Sequence, residues 1–369
     1  MLRAVSAFMI VIAHGWRGFN EWFGMSQVPH IFLDDTTRKY NLLGRVISLF
    51  TENLRFGVEI FFLISGFLIT YLLLSEKAKN GKVDFYRFYI RRGLRIWPLY
   101  FLLIALLPLW HFLTRQPYPD LLPNLLFYNN FHTISTMDWQ PPFGHFWSIC
   151  VEEHFYLAWP LIIGSVPNKK LPFAFALLIL ISIVSRWYYV EAHAANYGLH
   201  LFINTICAMD TLVIGAVIAY IHFHKPIRFK IPTLLRIVVY SMLLILLLNV
   251  DITVSDTFFT ACFKKYIYTG FSVFWLMNIL FNEHQWHIFE KKSIMSYLGR
   301  ISYGIYMFHN ILIGVIDIKI LPPLSMINIW AFWFFYLVLS IGLPIISYQF
   351  FEKYFLRLKR KFELVRTDE

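Results

Sequence analysis

Windows of about 20 largely apolar residues, the length a helix needs to cross a bilayer, recur along the whole of this 369-residue chain. Ten cores stand out, at 1–15, 56–74, 96–113, 146–166, 171–190, 203–221, 234–250, 264–281, 301–317 and 328–350. Hydrophobic residues make up 58% of the chain and charged residues only 15%, where a soluble domain carries about 25% charged. Such a surplus of apolar surface, with 38 Phe in it, exceeds what one soluble core of this length buries. The expected fold is therefore all-α: a polytopic integral membrane protein of about ten transmembrane helices, forming one membrane domain over 1–369.

The first core is short, since its apolar run is only Ala4 to Ala13 with Arg3 almost at the start. That predicts a natural chain beginning upstream of Met1, and no soluble domain is expected after the tenth core. The excess of 33 Lys+Arg over 22 Asp+Glu does not point to nucleic acid, because the basic residues cluster between apolar runs as cytoplasmic loops do. The bias places both termini on the cytoplasmic side of an inner membrane and leaves ten cations outside, among them Arg17, Arg55, Arg186, Lys264 and Lys265. Two outer loops, 16–55 and 114–145, are the expected sites of extramembrane structure. The second contains PDLLPNLLFYNNF (119–131), the pattern of a short interfacial or re-entrant helix.

Ionisable groups within a span are costly and so are functional candidates. Here they are His14, Glu59, Glu152, Glu153, Asp210 and His309. His14 lies about 16 Å up the first helix from Arg3, and Glu152 about 9 Å down the fourth from the outer boundary, at the helical rise. The two reach a similar depth. A carboxylate that fixes the tautomer of an imidazole, whose other nitrogen takes a proton from a hydroxyl, is general-base chemistry suited to acyl transfer. At the cytoplasmic side, Arg91, Arg92 and Arg95 fall within one turn, ahead of Pro98, which is read as the start of the apolar helix. Three guanidinia on one surface suit a phosphate-bearing donor, and positive-inside anchoring is the alternative.

Five blocks taken together resemble the acyltransferase 3 family of membrane acylases: RAVSAFMIVIAH (3–14), GVEIFFLISGFLIT (57–70), FYIRRGLRIWPLY (88–100), HFWSICVEEHFYLAWPL (145–161) and LGRISYGIYMFHN (298–310). The resemblance implies transfer of an acyl group, commonly acetyl from acetyl-CoA, to a hydroxyl of an extracytoplasmic or lipid-linked glycan. By position it makes His14 catalytic, Arg3 its paired basic residue and Glu152 the first acid of the pair, and sets Arg91, Arg92 and Arg95 against the donor phosphates; His14 and Glu152 are the expected catalytic pair, with Arg3, Glu153, Ser65, Tyr306 and His309 expected in support. Ser65, Tyr303 or Tyr306 would donate to the thioester oxygen, and an acylated His14 is a variant of the same scheme. Asp210 and Glu352 match recurrent late positions without an assigned role. His154 stands where the family often has Gln, offering a third imidazole near the site.

Acyl-CoA is thus expected as a substrate, with no permanently bound cofactor. No metal site is expected either: Cys150, Cys207 and Cys262 are dispersed, and the histidines of HFH (222–224) and HQWH (284–287) have no carboxylate or Cys at ligand spacing. Trp97, Trp147 and Trp159 read as an interfacial belt, while aromatics over 139–147 are placed to stack a sugar. The expected partners are acyl-CoA, a glycan or glycolipid acceptor and the lipid bilayer. A transporter or flippase for a glycan or lipid precursor also fits several spans with internal charges, and so does a non-catalytic scaffold.

Overall fold

A computed structural model describes residues 2–23, 41–115, 117–192, 197–226, 230–249, 258–280, 294–317 and 329–364. Among them all regular secondary structure is helical. Along the chain run α1 (Leu2–Phe23), α2 (Leu42–Asn53), α3 (Gly57–Asn80), α4 (Phe85–Ala105), α5 (Leu107–Thr114), α6 (Leu121–Leu125), α7 (Asn129–Thr136) and α8 (Trp147–Ser165). They are followed by α9 (Leu171–Glu191), α10 (Tyr197–Ile203), α11 (Thr205–His224), α12 (Thr233–Asn249), α13 (Phe258–Leu280), α14 (Ile294–Asp317), α15 (Ile329–Ser347) and α16 (Lys353–Arg360).

Among the described residues, five stretches are long and apolar enough to cross a membrane: Leu42–Asn80, Phe85–Phe112, Asn168–Glu191, Tyr197–His224 and Trp330–Arg360. The other five expected windows are helical too, as α1, α8, α12, α13 and α14. Among these, α12 is only 17 residues long, while α1 carries His14, α8 carries Glu152 and Glu153, and α14 carries His309. Large apolar side chains such as Leu157, Phe173, Leu234, Ile245 and Phe334 stand on the outer surface, as a lipid-facing belt requires.

The bundle is organised around α3, which packs on α1, α8, α11 and α13. Its contact with α11 is backbone to backbone. A Cβ on Gly66 would lie 1.8 Å from the Leu212 carbonyl oxygen, and one on Gly215 would lie 2.1 Å from that of Leu63. Small residues at a helix crossing permit this approach where no hydrophobic force drives association. On its other side α3 receives α1 through the Ser6 hydroxyl, which donates to the Gly57 carbonyl at 2.6 Å. In turn α1 packs on α14, and α14 on α15.

Several expected boundaries move. Residues 42–53 of the expected first outer loop form α2, which a 3₁₀ turn, Leu54–Phe56, joins to α3. Asn41 caps this helix by accepting from Gly44 N at 2.9 Å. The basic run is the first half of α4, entered through the Asp84 cap on Arg87 N, and Pro98 lies inside that helix instead of starting it. A proline is tolerated there because neighbouring helices supply what the backbone loses. Of the three, Trp147 and Trp159 are buried and Trp97 is exposed, because the two on α8 sit on its face turned into the bundle while Leu157 and Leu161 face outward. The Trp159 indole donates to Thr70 Oγ1 at 2.8 Å.

The segment expected as the second outer loop folds as α6 and α7, cross-linked by amides. Asn124 Nδ2 donates to Gln140 Oε1 (3.0 Å), and Asn129 Nδ2 donates to Asn124 Oδ1 (2.8 Å) and to the Phe143 carbonyl (3.1 Å). Tyr100 of α4 donates to the Asn124 carbonyl at 2.7 Å, so the loop is pinned to the bundle and carries the segment Trp139 to His145 across its end.

The α3–α11 contact generates a paired prediction. Gly66→Ala and Gly215→Ala should each lower stability by about 1–3 kcal/mol or more through overpacking. Gly270→Ala, a helical glycine with nothing within 4 Å of its Cβ position, should raise it by up to about 1 kcal/mol. Thermal melting of the purified protein in detergent reads both.

Candidate functional site

Two cavities meet inside the bundle. The larger, about 770 Å³, is lined by His14 and Arg17 of α1, Glu59 of α3, Trp139 and His145 of the outer loop, and Trp147 of α8, among others. The smaller, about 60 Å³, is lined by Arg3, Ser65, Arg92, Arg95, Glu152, Tyr156 and Tyr303. Val58 and Tyr306 line both. Tyr306 is held across this boundary by its hydroxyl, 2.6 Å from Ser148 Oγ and 2.8 Å from the His145 carbonyl that accepts its proton.

Helix α1 serves both cavities, since Arg3 lies in the small chamber and His14 in the large one. Their eleven-residue separation, about 16 Å along a helix, carries α1 from one chamber into the other.

His14 and Glu152, the expected pair, are not joined; among the described residues no hydrogen bond links them. Nδ1 of His14 instead meets Nε2 of His309 at 2.8 Å. His309 is fully buried and its Nδ1 donates to the Tyr306 carbonyl at 2.5 Å. Both oxygens of Glu152 are taken in the small chamber, by Ser65 Oγ (2.7 Å) and the Tyr156 hydroxyl (2.9 Å). The two residues line different chambers, because α1 faces α14 at His14 whereas α8 turns Glu152 toward α3, into the chamber that holds Arg3.

The third imidazole is His145, not His154. The His145 ring lies 4.8 Å from that of His309, and its Nε2 donates to the Met307 carbonyl at 3.2 Å. His154 turns away, its Nδ1 2.8 Å from Thr205 Oγ1. Sequence reasoning missed His145 although it opens one of the five blocks, because it precedes the apolar run and reads as a loop residue. Glu153 accepts from the Trp97 indole at 3.1 Å on the α4 side.

The arginine cluster divides. Arg91 pairs with Glu76 at 2.7 Å and donates to the Phe362 carbonyl at 2.9 Å, so it ties α3, α4 and the C-terminal segment together. Arg92 and Arg95 turn into the small chamber, with Arg92 5.4 Å above the Tyr156 ring. The hydroxyl hydrogens expected to reach a thioester oxygen are engaged elsewhere: Ser65 on Glu152, Tyr303 on the Ile96 carbonyl at 2.8 Å, and Tyr306 on the His145 carbonyl.

Arg186 and Lys265 are not outer-loop charges. Asp210, fully buried on α11, accepts from Arg186 (2.7 Å), Lys265 (2.6 Å) and the Tyr266 hydroxyl (2.6 Å). Glu59 accepts from Thr211 beside this cluster. Arg186, Lys265 and Glu59 also line the large cavity, so the Asp210 cluster forms part of its wall. Glu352 lies in a π-helical turn, Tyr348–Glu352, and accepts from Ser347 at 3.0 Å. His222 is set against Phe67 and Tyr71, while HQWH lies outside the described residues.

The chain belongs to the acyltransferase 3 family, whose acyltransferase domain matches residues 1–349. It is 28% identical over 273 residues to the O-acetyltransferase OatA of Staphylococcus aureus, covering 69% of this chain and 45% of that protein. It is 26% identical over 310 residues to the peptidoglycan O-acetyltransferase OatA of Listeria monocytogenes, covering 74% and 47%. The chain spans about half the length of the curated relatives it matches. No solved structure matches it.

The Asp210 cluster predicts the effect of removing its central anion. Among the described residues, Asp210→Asn leaves buried Arg186 without its carboxylate and Lys265 with only Glu59, 4.0 Å away, which should cost about 3–5 kcal/mol and appear as a lower melting temperature.

Proposed function

We propose that this chain is a membrane O-acetyltransferase that moves acetyl from acetyl-CoA onto a hydroxyl of an extracytoplasmic glycan. Cell-wall peptidoglycan is the first candidate acceptor. The observation that carries the reading is His14 in a large cavity separated only by Tyr306 and Val58 from a chamber lined by three arginines. One space suits a sugar and the other a polyanionic donor. The names of the relatives add the acceptor class, and Trp139 and Trp147 on the cavity wall add aromatic faces for a sugar ring.

In this reading both termini are cytoplasmic and the small chamber opens toward that side. Acetyl-CoA brings its phosphates to Arg92 and Arg95, with Arg3 nearby. At about 60 Å³ the chamber is smaller than an adenine nucleotide, so the nucleotide stays at the mouth and only the thioester arm passes inward as side chains part. His14 takes the proton of the acceptor hydroxyl as its oxygen attacks the thioester carbonyl. A carbon–oxygen bond forms, the carbon–sulfur bond breaks, and the imidazolium returns its proton to the leaving thiolate. The products are an O-acetyl glycan and CoA. Glu152 holds the small chamber together through Ser65 and Tyr156 and serves as counter-charge to its arginines.

Alkali-released acetate from cell walls tests the reading, in a strain lacking the gene and complemented with wild type or His14→Ala at matched membrane abundance. Wild type should restore the acetate and His14→Ala should leave it at background, since a general base contributes about 10²–10⁴-fold. Equal restoration by both removes His14 from the chemistry, and no restoration by wild type removes peptidoglycan as the acceptor. With purified protein, Arg92→Ala or Arg95→Ala should raise the KM for acetyl-CoA about tenfold or more, the loss of one charge-assisted hydrogen bond. Arg91→Ala should leave KM unchanged and lower the melting temperature.

A further inference from the structure

We propose that His309 is the positioning residue that fixes which nitrogen of His14 is the base, a task the sequence pattern gives to Glu152. The inference rests on the reading of His14 as the general base, and its argument is one of donors and acceptors. A carbonyl oxygen only accepts, so the 2.5 Å contact with the Tyr306 carbonyl puts a hydrogen on His309 Nδ1. A neutral imidazole has one N–H, so Nε2 of His309 is a bare lone pair. That lone pair is 2.8 Å from His14 Nδ1, which must then be the donor. Nε2 of His14 is left bare, without a hydrogen-bond partner among the described residues, on a ring that lines the large cavity.

The chain of hydrogen bonds runs in one direction, from His14 to His309 to a main-chain carbonyl. Its far end cannot reverse, because a backbone oxygen has no hydrogen to give. The same arrangement serves the charged intermediate. When His14 Nε2 takes the hydroxyl proton, the imidazolium still donates through Nδ1 to the His309 lone pair, and no proton leaves His309. The second imidazole does the orienting work of the carboxylate in a hydrolase triad, without placing a second formal charge beside the first. His309 is fully buried, so it acts through His14 and not on substrate.

Amide replacements separate this role from a packing role. In His309→Gln the side-chain amide reaches the place of Nε2 and its oxygen accepts from His14. In His309→Asn the amide stops at the place of Nδ1 and leaves His14 without an acceptor. His309→Leu keeps bulk and removes both bonds. Expected for Asn and Leu is a fall in kcat of about 100-fold or more, since losing the orienting partner of a catalytic His costs up to about 10⁴-fold. The KM for acetyl-CoA should stay within about twofold, and Gln should recover at least a tenth of wild-type kcat. Asn equal to Gln, or Leu close to wild type, overturns the proposal.

A second measurement needs no His309 variant. In wild-type protein labelled with ¹⁵N-histidine in lipid, the His14 signals, identified by their loss in His14→Asn, should show Nδ1 protonated and Nε2 bare. The opposite tautomer overturns the proposal whatever the variants do. If His14→Ala itself retains activity, the general-base reading fails, and the tautomer result still decides the hydrogen-bond chain by itself.

Discussion

Where α3 crosses α11 no side chain separates the helices: Gly66 meets the backbone of Leu212, and Gly215 meets that of Leu63. The rest of the site is set out from this crossing. Because the two backbones touch, neither helix has room to slide, and side chains within two turns of the contact are held at fixed distances. On α3 these are Glu59 and Ser65, and on α11 they are Asp210 and Thr211. Ser65 reaches outward to Glu152, while Thr211 reaches back to Glu59. The Asp210 cluster on one side of the crossing and the arginine chamber on the other are therefore built on one rigid element. In lipid, where apolar surface gives no reason for helices to associate, close backbone packing of this kind is what remains to hold them.

Helix α1 adds a second constraint. It is anchored to α3 by Ser6 near its start and packs on α14 along its length. Arg3 and His14 thereby become the two ends of one rod, each in its own chamber. The site needs no flexible arm to coordinate the halves, since the rise of the helix does so.

Much of this was legible in the sequence, and the parts that were not have a common reason. Apolar windows locate helices because each window reports on its own backbone and its own surroundings. The separation of Arg3 and His14 along α1 follows from the same local arithmetic. What local arithmetic omits is azimuth. Arg91 and Arg92 are consecutive, so they point about 100° apart on α4, and only the position of Glu76, on a different helix, decides that Arg91 is the one captured. Arg186 and Lys265 look like surface charges until α11 brings Asp210 between them. His309 was visible as a late motif residue, but its partnership with His14 spans almost the whole chain. Trp147 and Trp159 read as interfacial because Trp so often is, and nothing in α8 alone says which of its faces turns into the bundle.

The amide lattice of α6, α7 and the segment after them has a further consequence. Asn124, Asn129 and Gln140 hold Trp139 to His145 over the large cavity through neutral donors and acceptors, with Tyr100 fastening them to α4. Formal charge enters only at its margins, through the caps that Asp120 and Asp138 provide. Salt screens charges and leaves bonds between neutral amides almost untouched, and amides do not titrate between mildly acid and mildly alkaline conditions. A roof made this way keeps its shape when the medium around it turns brackish or sour.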